Sequence, residues 1–165
     1  ALLTKPQSLA VIDRANGIIE GLRENCTFAQ IVATKPYSDQ ASVREMTEQM
    51  MREHPKIRCI VGVSDMSILG AYDALEAMNL LNEEMCLVGI DASAPVLKKI
   101  QEGTVIRGSV SQDTKGFAEV TIHAAIAAIQ GNPLPESSIK IEAVTMENVA
   151  AYLQAEAASH STPAS

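Results

Sequence analysis

The sequence predicts an α/β fold: a three-layer open parallel sheet with helices on both faces. Three observations lead there. Short apolar runs end in polar side chains at Ile57-Arg58-Cys59-Ile60-Val61-Gly62-Val63-Ser64-Asp65, at Met85-Cys86-Leu87-Val88-Gly89-Ile90-Asp91 and at Val105-Ile106-Arg107-Gly108-Ser109-Val110-Ser111-Gln112-Asp113. Runs of this kind suit strands buried on both faces. The stretches between them carry apolar residues at helical spacing, and the regular alternation of the two patterns specifies parallel strands joined by right-handed helical crossovers. In such a sheet, ligands bind at the carboxyl ends of the strands, where Ser64, Asp65, Asp91, Gln112 and Asp113 fall.

The elements follow in order. Residues 1–4 read as a strand, and 5–7 as a loop. Ser8 is a helix cap before 9–23, where Leu9, Ile12, Ile18, Ile19 and Leu22 form one stripe. Residues 28–33 read as a second strand and Pro36-Tyr37-Ser38 as a loop, with Ser38 capping a helix that runs to His54. Its inner face is Val43, Met46, Met50 and Met51, and Pro55 ends it. Residues 57–63 form the third strand. Asp65 caps a helix over 66–79 that turns Ile68, Leu69, Tyr72, Leu75 and Met78 inward.

Residues 85–90 form the fourth strand. Pro95 suits the first turn of a short helix over 96–101, and Gly103 its C-cap. Residues 105–111 form the fifth strand and 115–130 an alanine-rich helix, broken by Gly131-Asn132-Pro133-Leu134-Pro135. Residues 139–144 alternate as a strand and 147–158 form the last helix. The remaining small polar residues read as a disordered tail.

Composition bounds what the chain can do. At 165 residues it supports one domain with a core, and 47% hydrophobic against 20% charged residues is ordinary for a globular protein. No run approaches the roughly 18 apolar residues of a membrane helix. A net charge of −7 disfavours nucleic acid and acidic membranes as partners. The three cysteines Cys26, Cys59 and Cys86 fit no zinc spacing. Cys59 and Cys86 fall inside strands, as small apolar residues do. The chain opens without an initiator methionine or signal peptide, as if inside a strand, and is expected to be a piece of a longer protein.

No nucleophile elbow, phosphate loop or dinucleotide fingerprint is present, and His54, His123 and His160 lie away from the strand ends. The sequence therefore points to a binding module without catalytic residues, cofactor or metal. Asp65, Asp91 and Asp113 could also be read as a Mg²⁺ or acid–base cluster, or as caps and loop residues with no ligand. Polyol recognition fits best. A carboxylate accepts from two adjacent hydroxyls, and an amide such as Gln112 both donates and accepts. Tyr37, in a loop after a strand, is the aromatic placed to stack on a sugar ring.

Several blocks resemble the type I periplasmic sugar-binding proteins. Ile60-Val61-Gly62-Val63-Ser64-Asp65-Met66-Ser67-Ile68-Leu69-Gly70-Ala71-Tyr72-Asp73-Ala74-Leu75 is similar to their small-residue, Asn-Asp, Ala-Leu-Gly-Ala block. Leu87-Val88-Gly89-Ile90-Asp91 is similar to their Val-Val-Gly-Phe-Asp. Ile100-Gln101-Glu102-Gly103, then Gly108-Ser109-Val110-Ser111-Gln112-Asp113, resembles their Ile-x-x-Gly and Thr-Val-Ala-Gln-Asp stretch. Gly131-Asn132-Pro133-Leu134-Pro135 and Val144-Thr145-Met146-Glu147-Asn148-Val149 resemble the family's ending. The lac repressor family shares the fold but usually carries a proline-rich turn and a Thr-Thr-Val strand here, so the transport type is the nearer match.

The resemblance implies the ligand-binding half of an extracytoplasmic solute-binding protein, periplasmic or membrane-anchored, and not an enzyme. The alternative is the effector domain of a cytoplasmic regulator. Asp91 and Gln112 match positions that bind sugar hydroxyls. Ser64 stands where the family usually has asparagine, beside Asp65. Ile12 stands where it often has arginine, and Arg14, two residues on, would point elsewhere on a helix. These departures suggest a smaller or less polar ligand.

By the same resemblance, residues 1–112 and about 145–153 form the second of two lobes, about 113–144 belongs to a first lobe otherwise missing, and 154–165 is the tail. The expected partners are a small sugar or related ligand, that first lobe, a membrane permease or sensor, and a second copy of the chain joined through 115–144.

Overall fold

The computed structural model describes residues 1–5, 9–134 and 139–160. Six strands form one sheet in the order β2-β1-β3-β4-β5-β6, with β1 Leu2–Thr4, β2 Thr34–Pro36, β3 Cys59–Gly62, β4 Cys86–Ile90, β5 Ile106–Gln112 and β6 Ile141–Thr145. The helices are α1 Leu9–Asn25, α2 Gln40–Glu53, α3 Asp65–Ala77, α4 Ala94–Gln101, α5 Thr114–Gln130 and α6 Val149–His160. The expected Ser8 cap lies outside the described residues, as does the tail beyond His160. The last helix reaches His160, two residues past the expected end at Ala158 and into the 154–165 expected as the tail.

The pairs among β1 to β5 are parallel, as the alternation requires. β6 departs from the expectation: it runs antiparallel to β5, pairing Gly108 with Thr145 through to Gln112 with Ile141. Alternation of strand and helix constrains direction only where a helix crosses over the sheet between neighbouring strands. None of the described side chains of α5, which leads into β6, is buried, so it is no such packed crossover.

The second strand also differs. Residues 28–33 are apolar except for Gln30, yet the strand forms at Thr34–Pro36, and Phe28 stands 87% exposed. β2 lies at the sheet edge, where a proline without an N–H is tolerated. At this edge the ladder is set by Leu2 N–H donating to the Ala33 carbonyl at 3.0 Å and Tyr37 N–H to Thr4 at 2.9 Å.

The core lies between the sheet and α2, α3 and α4. It includes Leu3, Val43, Met50, Ile60, Ile68, Leu75, Leu87, Leu97, Ile100 and Ile106. Of the expected inner face of α2, Val43, Met50 and Met51 are buried, and Thr47 joins them. Asp39, not Ser38, caps this helix: its carboxylate accepts from Ser42 N–H at 2.8 Å while Ser42 returns the bond to the cap. Glycines allow α3 to lie close on the strands. A Cβ at Gly62 would collide with Ser67 Oγ and one at Gly89 with Asp65 Oδ1. The opposite face of β3 and β4, bearing Cys59, Val61, Cys86 and Val88, is only half-buried. α1 buries no residue completely, although Val11, Ala15 and Ile18 pack against the core.

Leu87, fully buried in the sheet, supplies a test of this core. Leu87→Ala is expected to lower stability by about 2–5 kcal/mol in urea unfolding. Ile129→Ala, on an exposed face of α5, should stay within about 0.5 kcal/mol of the parent. Equal effects would contradict the core assignment.

Candidate functional site

Three polar side chains meet at the carboxyl ends of β3, β4 and β5. Asp91 follows β4, Gln112 ends β5, and Arg14 reaches over from α1. Gln112 Nε2 donates to Asp91 Oδ1 at 2.8 Å. Arg14 Nη2 donates to Gln112 Oε1 at 3.0 Å, and Nη1 lies 3.0 Å from the Val63 carbonyl and 3.5 Å from Asp91 Oδ1. The expectation that Arg14 points elsewhere is therefore corrected. α1 presents position 14 to the strand ends, while Ile12, 41% exposed, brings no polar contact to the group. The two positions lie about 200° apart on a helix, so only one can face the site.

Asp65 plays a different part from the one expected. It is the first residue of α3, whose cap is Ser64, so Asp65 is not the cap. Its carboxylate, in a residue only 2% exposed, turns under the loop that carries Asp91. It accepts from Ser93 N–H at 2.6 Å, Ser93 Oγ at 2.8 Å and Ser109 Oγ at 2.6 Å. Ser109 Oγ in turn accepts from Ala92 N–H at 3.0 Å. The loop needs that grip, because Asp91 and Ala92 have φ of 123° and 49°, in a region non-glycine residues rarely adopt. Such strain persists only where the surroundings impose it. Asp65 thus positions the site from below and leaves the open rim to Asp91.

Ser64 and Tyr37 are spoken for as well. Ser64 Oγ makes no cap hydrogen bond and lies 2.8 Å from Tyr37 Oη. Tyr37, expected to offer a stacking surface, is only 5% exposed, so its ring is packed away and its hydroxyl steadies Ser64. Asp113, taken with the other aspartates as a metal cluster in one reading, caps α5 by accepting from Gly116 N–H at 2.8 Å. No group of three or more His, Cys, Asp or Glu side chains able to hold a metal occurs among the described residues.

A cavity of about 600 Å³ opens beside this rim, lined by Asp91, Ser93, Ser111, Gln112, Glu142 and Tyr152 among others. Its far wall is a hydrogen-bonded chain that the sequence reading missed: Ser111 Oγ lies 3.1 Å from Tyr152 Oη, which donates to Glu142 Oε2 at 2.7 Å. Lys140 pairs with Glu142 at 2.9 Å. No local signal marks these residues, because they meet only through the antiparallel pairing of β6.

The electrostatics separate the two acids. Burial pushes the Asp65 carboxyl above the ordinary carboxylate range, with the donors from Ser109 and Ser93 opposing it. Burial also raises Asp91, and Arg14, the Asp65 backbone amide and Gln112 oppose that. The group can therefore present a carboxylate acceptor, a guanidinium donor and a two-way amide to one small ligand rich in hydroxyls.

Comparison with known proteins bears on the family and the fold. The profile of a family described as periplasmic binding protein domain matches residues 2–133. Comparison with curated protein sequences finds no match. An ABC transporter solute-binding protein from Bacillus halodurans, with bound myo-inositol, is 28% identical over 92% of this chain and 53% of its own, with a TM-score of 0.82. A Caulobacter myo-inositol binding protein is 22% identical over 91% of this chain and 52% of its own, TM-score 0.82. A periplasmic solute-binding protein from Actinobacillus succinogenes with bound D-allose is 19% identical over 92% and 54%, TM-score 0.82. The last two likenesses concern the fold alone. The chain spans about half the length of these structures.

The buried carboxyl makes a signed prediction. An acid whose folded pKa is raised binds more protons folded than unfolded, so its contribution to stability falls as pH rises from the ordinary carboxylate value through the raised one. Asp65→Asn removes that titration and leaves the serine donors short of an acceptor. The variant should be less stable than the parent by about 1–3 kcal/mol. The gap should narrow as pH is raised from about 4 toward neutrality, in denaturant melts at several pH values.

Proposed function

Because the chain belongs to the periplasmic binding protein domain family, whose members are binding proteins and not enzymes, we propose that it is the ligand-gripping part of an extracytoplasmic solute-binding protein. The ligand in this reading is a small sugar or cyclic polyol, and the protein delivers it to an ABC-type permease or a sensor. The observation that carries the reading is the convergence of Arg14, Asp91 and Gln112. Asp91 accepts from a pair of vicinal hydroxyls, Arg14 donates to ring or hydroxyl oxygens, and Gln112 does both. In the free site these groups satisfy one another, so ligand oxygens exchange for existing bonds with little desolvation of unpaired charge. The myo-inositol bound by the Bacillus halodurans relative is a ligand of this chemistry.

The second face of the cleft is assigned to the first lobe. Residues 1–112 and about 141–153 form the second lobe, because β6 pairs with β5 from Ile141 onward and so returns earlier than the expected 144, and about 113–140 belongs with the first. What supports this is α5: Phe117, Ile122, Ile126 and Ile129 are all exposed on it, and Leu134 and Ile141 continue the apolar surface. Closure of the lobes by a hinge would bury the ligand and present a closed surface to the membrane partner. Cut off from the first lobe, the same surface would pair with a second copy of the chain.

Two measurements test the reading. In titration calorimetry of the full-length protein with myo-inositol, allose and ribose, Asp91→Ala should weaken binding of whichever ligand is held by about tenfold or more, while the 165-residue chain alone binds weakly or not at all. Micromolar binding by this chain alone would overturn the two-lobed site. Sedimentation velocity of the chain should show a concentration-dependent dimer that Ile122→Glu with Ile126→Glu abolishes. A monomer at every concentration would overturn the pairing.

A further inference from the structure

Cys59 and Cys86 open β3 and β4, and they stand directly opposite one another in the parallel register. Register partners project from the same face of the sheet. Here it is the half-covered face shared with Val61 and Val88, away from α3. Both thiols are free and half-buried. The Cys86 N–H donates to the Arg58 carbonyl at 2.8 Å, which fixes the pairing next to Cys59. Neighbouring strands lie about 4.8 Å apart, inside the Cα separation of about 4.4–6.8 Å that a disulfide spans. Read singly, each cysteine is a small apolar residue; the register makes them a pair.

We propose that Cys59 and Cys86 form a vicinal dithiol site that reacts with small disulfides and closes into a cross-strand disulfide. The inference does not depend on the polyol reading. Cys86 is the attacking sulfur. A hydrogen bond from Cys59 lowers its thiol, as does the charge of Arg107 on the next strand, against the opposing effect of burial, which favours the nucleophilic thiolate form. Cys59, donating that hydrogen bond and partly buried, is pushed up and keeps its proton. It is the resolving thiol. Arg58 next to Cys59 is engaged by Glu84 at 2.9 Å, while Arg107 donates to the Glu83 carbonyl at 3.4 Å.

The exchange balances in two steps. The Cys86 thiolate attacks one sulfur of the reagent disulfide; a Cys86–reagent S–S bond forms, the reagent S–S bond breaks, and one thiolate leaves. Cys59 then gives up its proton to solvent and its sulfur attacks Cys86 Sγ. The protein disulfide forms and the second reagent thiolate leaves. The protein loses two electrons and two protons, and the reagent becomes two thiols. The extracytoplasmic setting proposed above is one where such bonds persist.

Oxidised glutathione is the probe, with intact-mass and peptide mapping as readouts. The intact chain should lose two hydrogens in mass, show a peptide linking Cys59 to Cys86, keep Cys26 free, and return to the dithiol with dithiothreitol. Cys59→Ser should stop at a stable glutathione adduct on Cys86. Cys86→Ser should slow the first adduct by about tenfold or more. Separate glutathione adducts on Cys59 and Cys86 in the parent chain, a link to Cys26, or no loss of thiols would each overturn the proposal. The parent-chain map decides the matter even if a variant does not fold.

Discussion

A single buried carboxylate holds the working end of this sheet in shape. Asp65 sits beneath the loop after β4 and draws Ser93 and Ser109 to itself. Through Ser109 it also reaches the Ala92 amide. These bonds hold two consecutive non-glycine residues at positive φ, and that turn of the backbone aims Asp91 at Arg14 and Gln112. Gly89 completes the arrangement, since any side chain there would occupy the space of Asp65 Oδ1. A charged acceptor is the economical choice at this point: one group satisfies three donors from two different segments. Its desolvation is the cost, visible as a carboxyl displaced upward from its ordinary range.

The two faces of the sheet are unequal. One carries α2, α3 and α4 and contains nearly all of the fully buried side chains. The other rests on α1 and is half-covered at Cys59, Val61, Cys86 and Val88. The lighter packing of α1 does not make it idle, because its Arg14 crosses the end of β3 to complete the polar group. Site and core are therefore built by different layers. The densely packed side fixes the strand ends and the loop, and the lightly packed side delivers the charged donor. α5 and β6 add a third region, apolar on α5 and polar where Tyr152, Glu142 and Ser111 close the cavity.

Much of the architecture could be read from the chain. The apolar runs around Ile60, Leu87 and Ile106 became parallel strands because both of their faces needed cover, and the helices between them were marked by periodicity and by Pro55, Pro95 and Gly131. The candidate site was half legible. Asp91 and Gln112 stood at strand ends, where an open α/β sheet gathers its ligands. Arg14 is not legible in the sequence, because its partners lie 77 and 98 residues away in the chain, and helix phase alone does not say which face meets the sheet. Tyr37 looked like an exposed platform, yet its ring fills core space and its hydroxyl finds Ser64.

What the sequence determined by itself is the class of fold, the order of its elements and the two strand ends that carry Asp91 and Gln112, because hydrophobic periodicity and turn chemistry are local properties. Tertiary structure alone decided the direction of β6, the shift of the second strand to Thr34–Pro36, the descent of Asp65 beneath the loop and the pairing of Cys59 with Cys86. Each of these depends on strand register and on which layer covers which face. Those are set by contacts between residues far apart in the chain, and no local pattern encodes them.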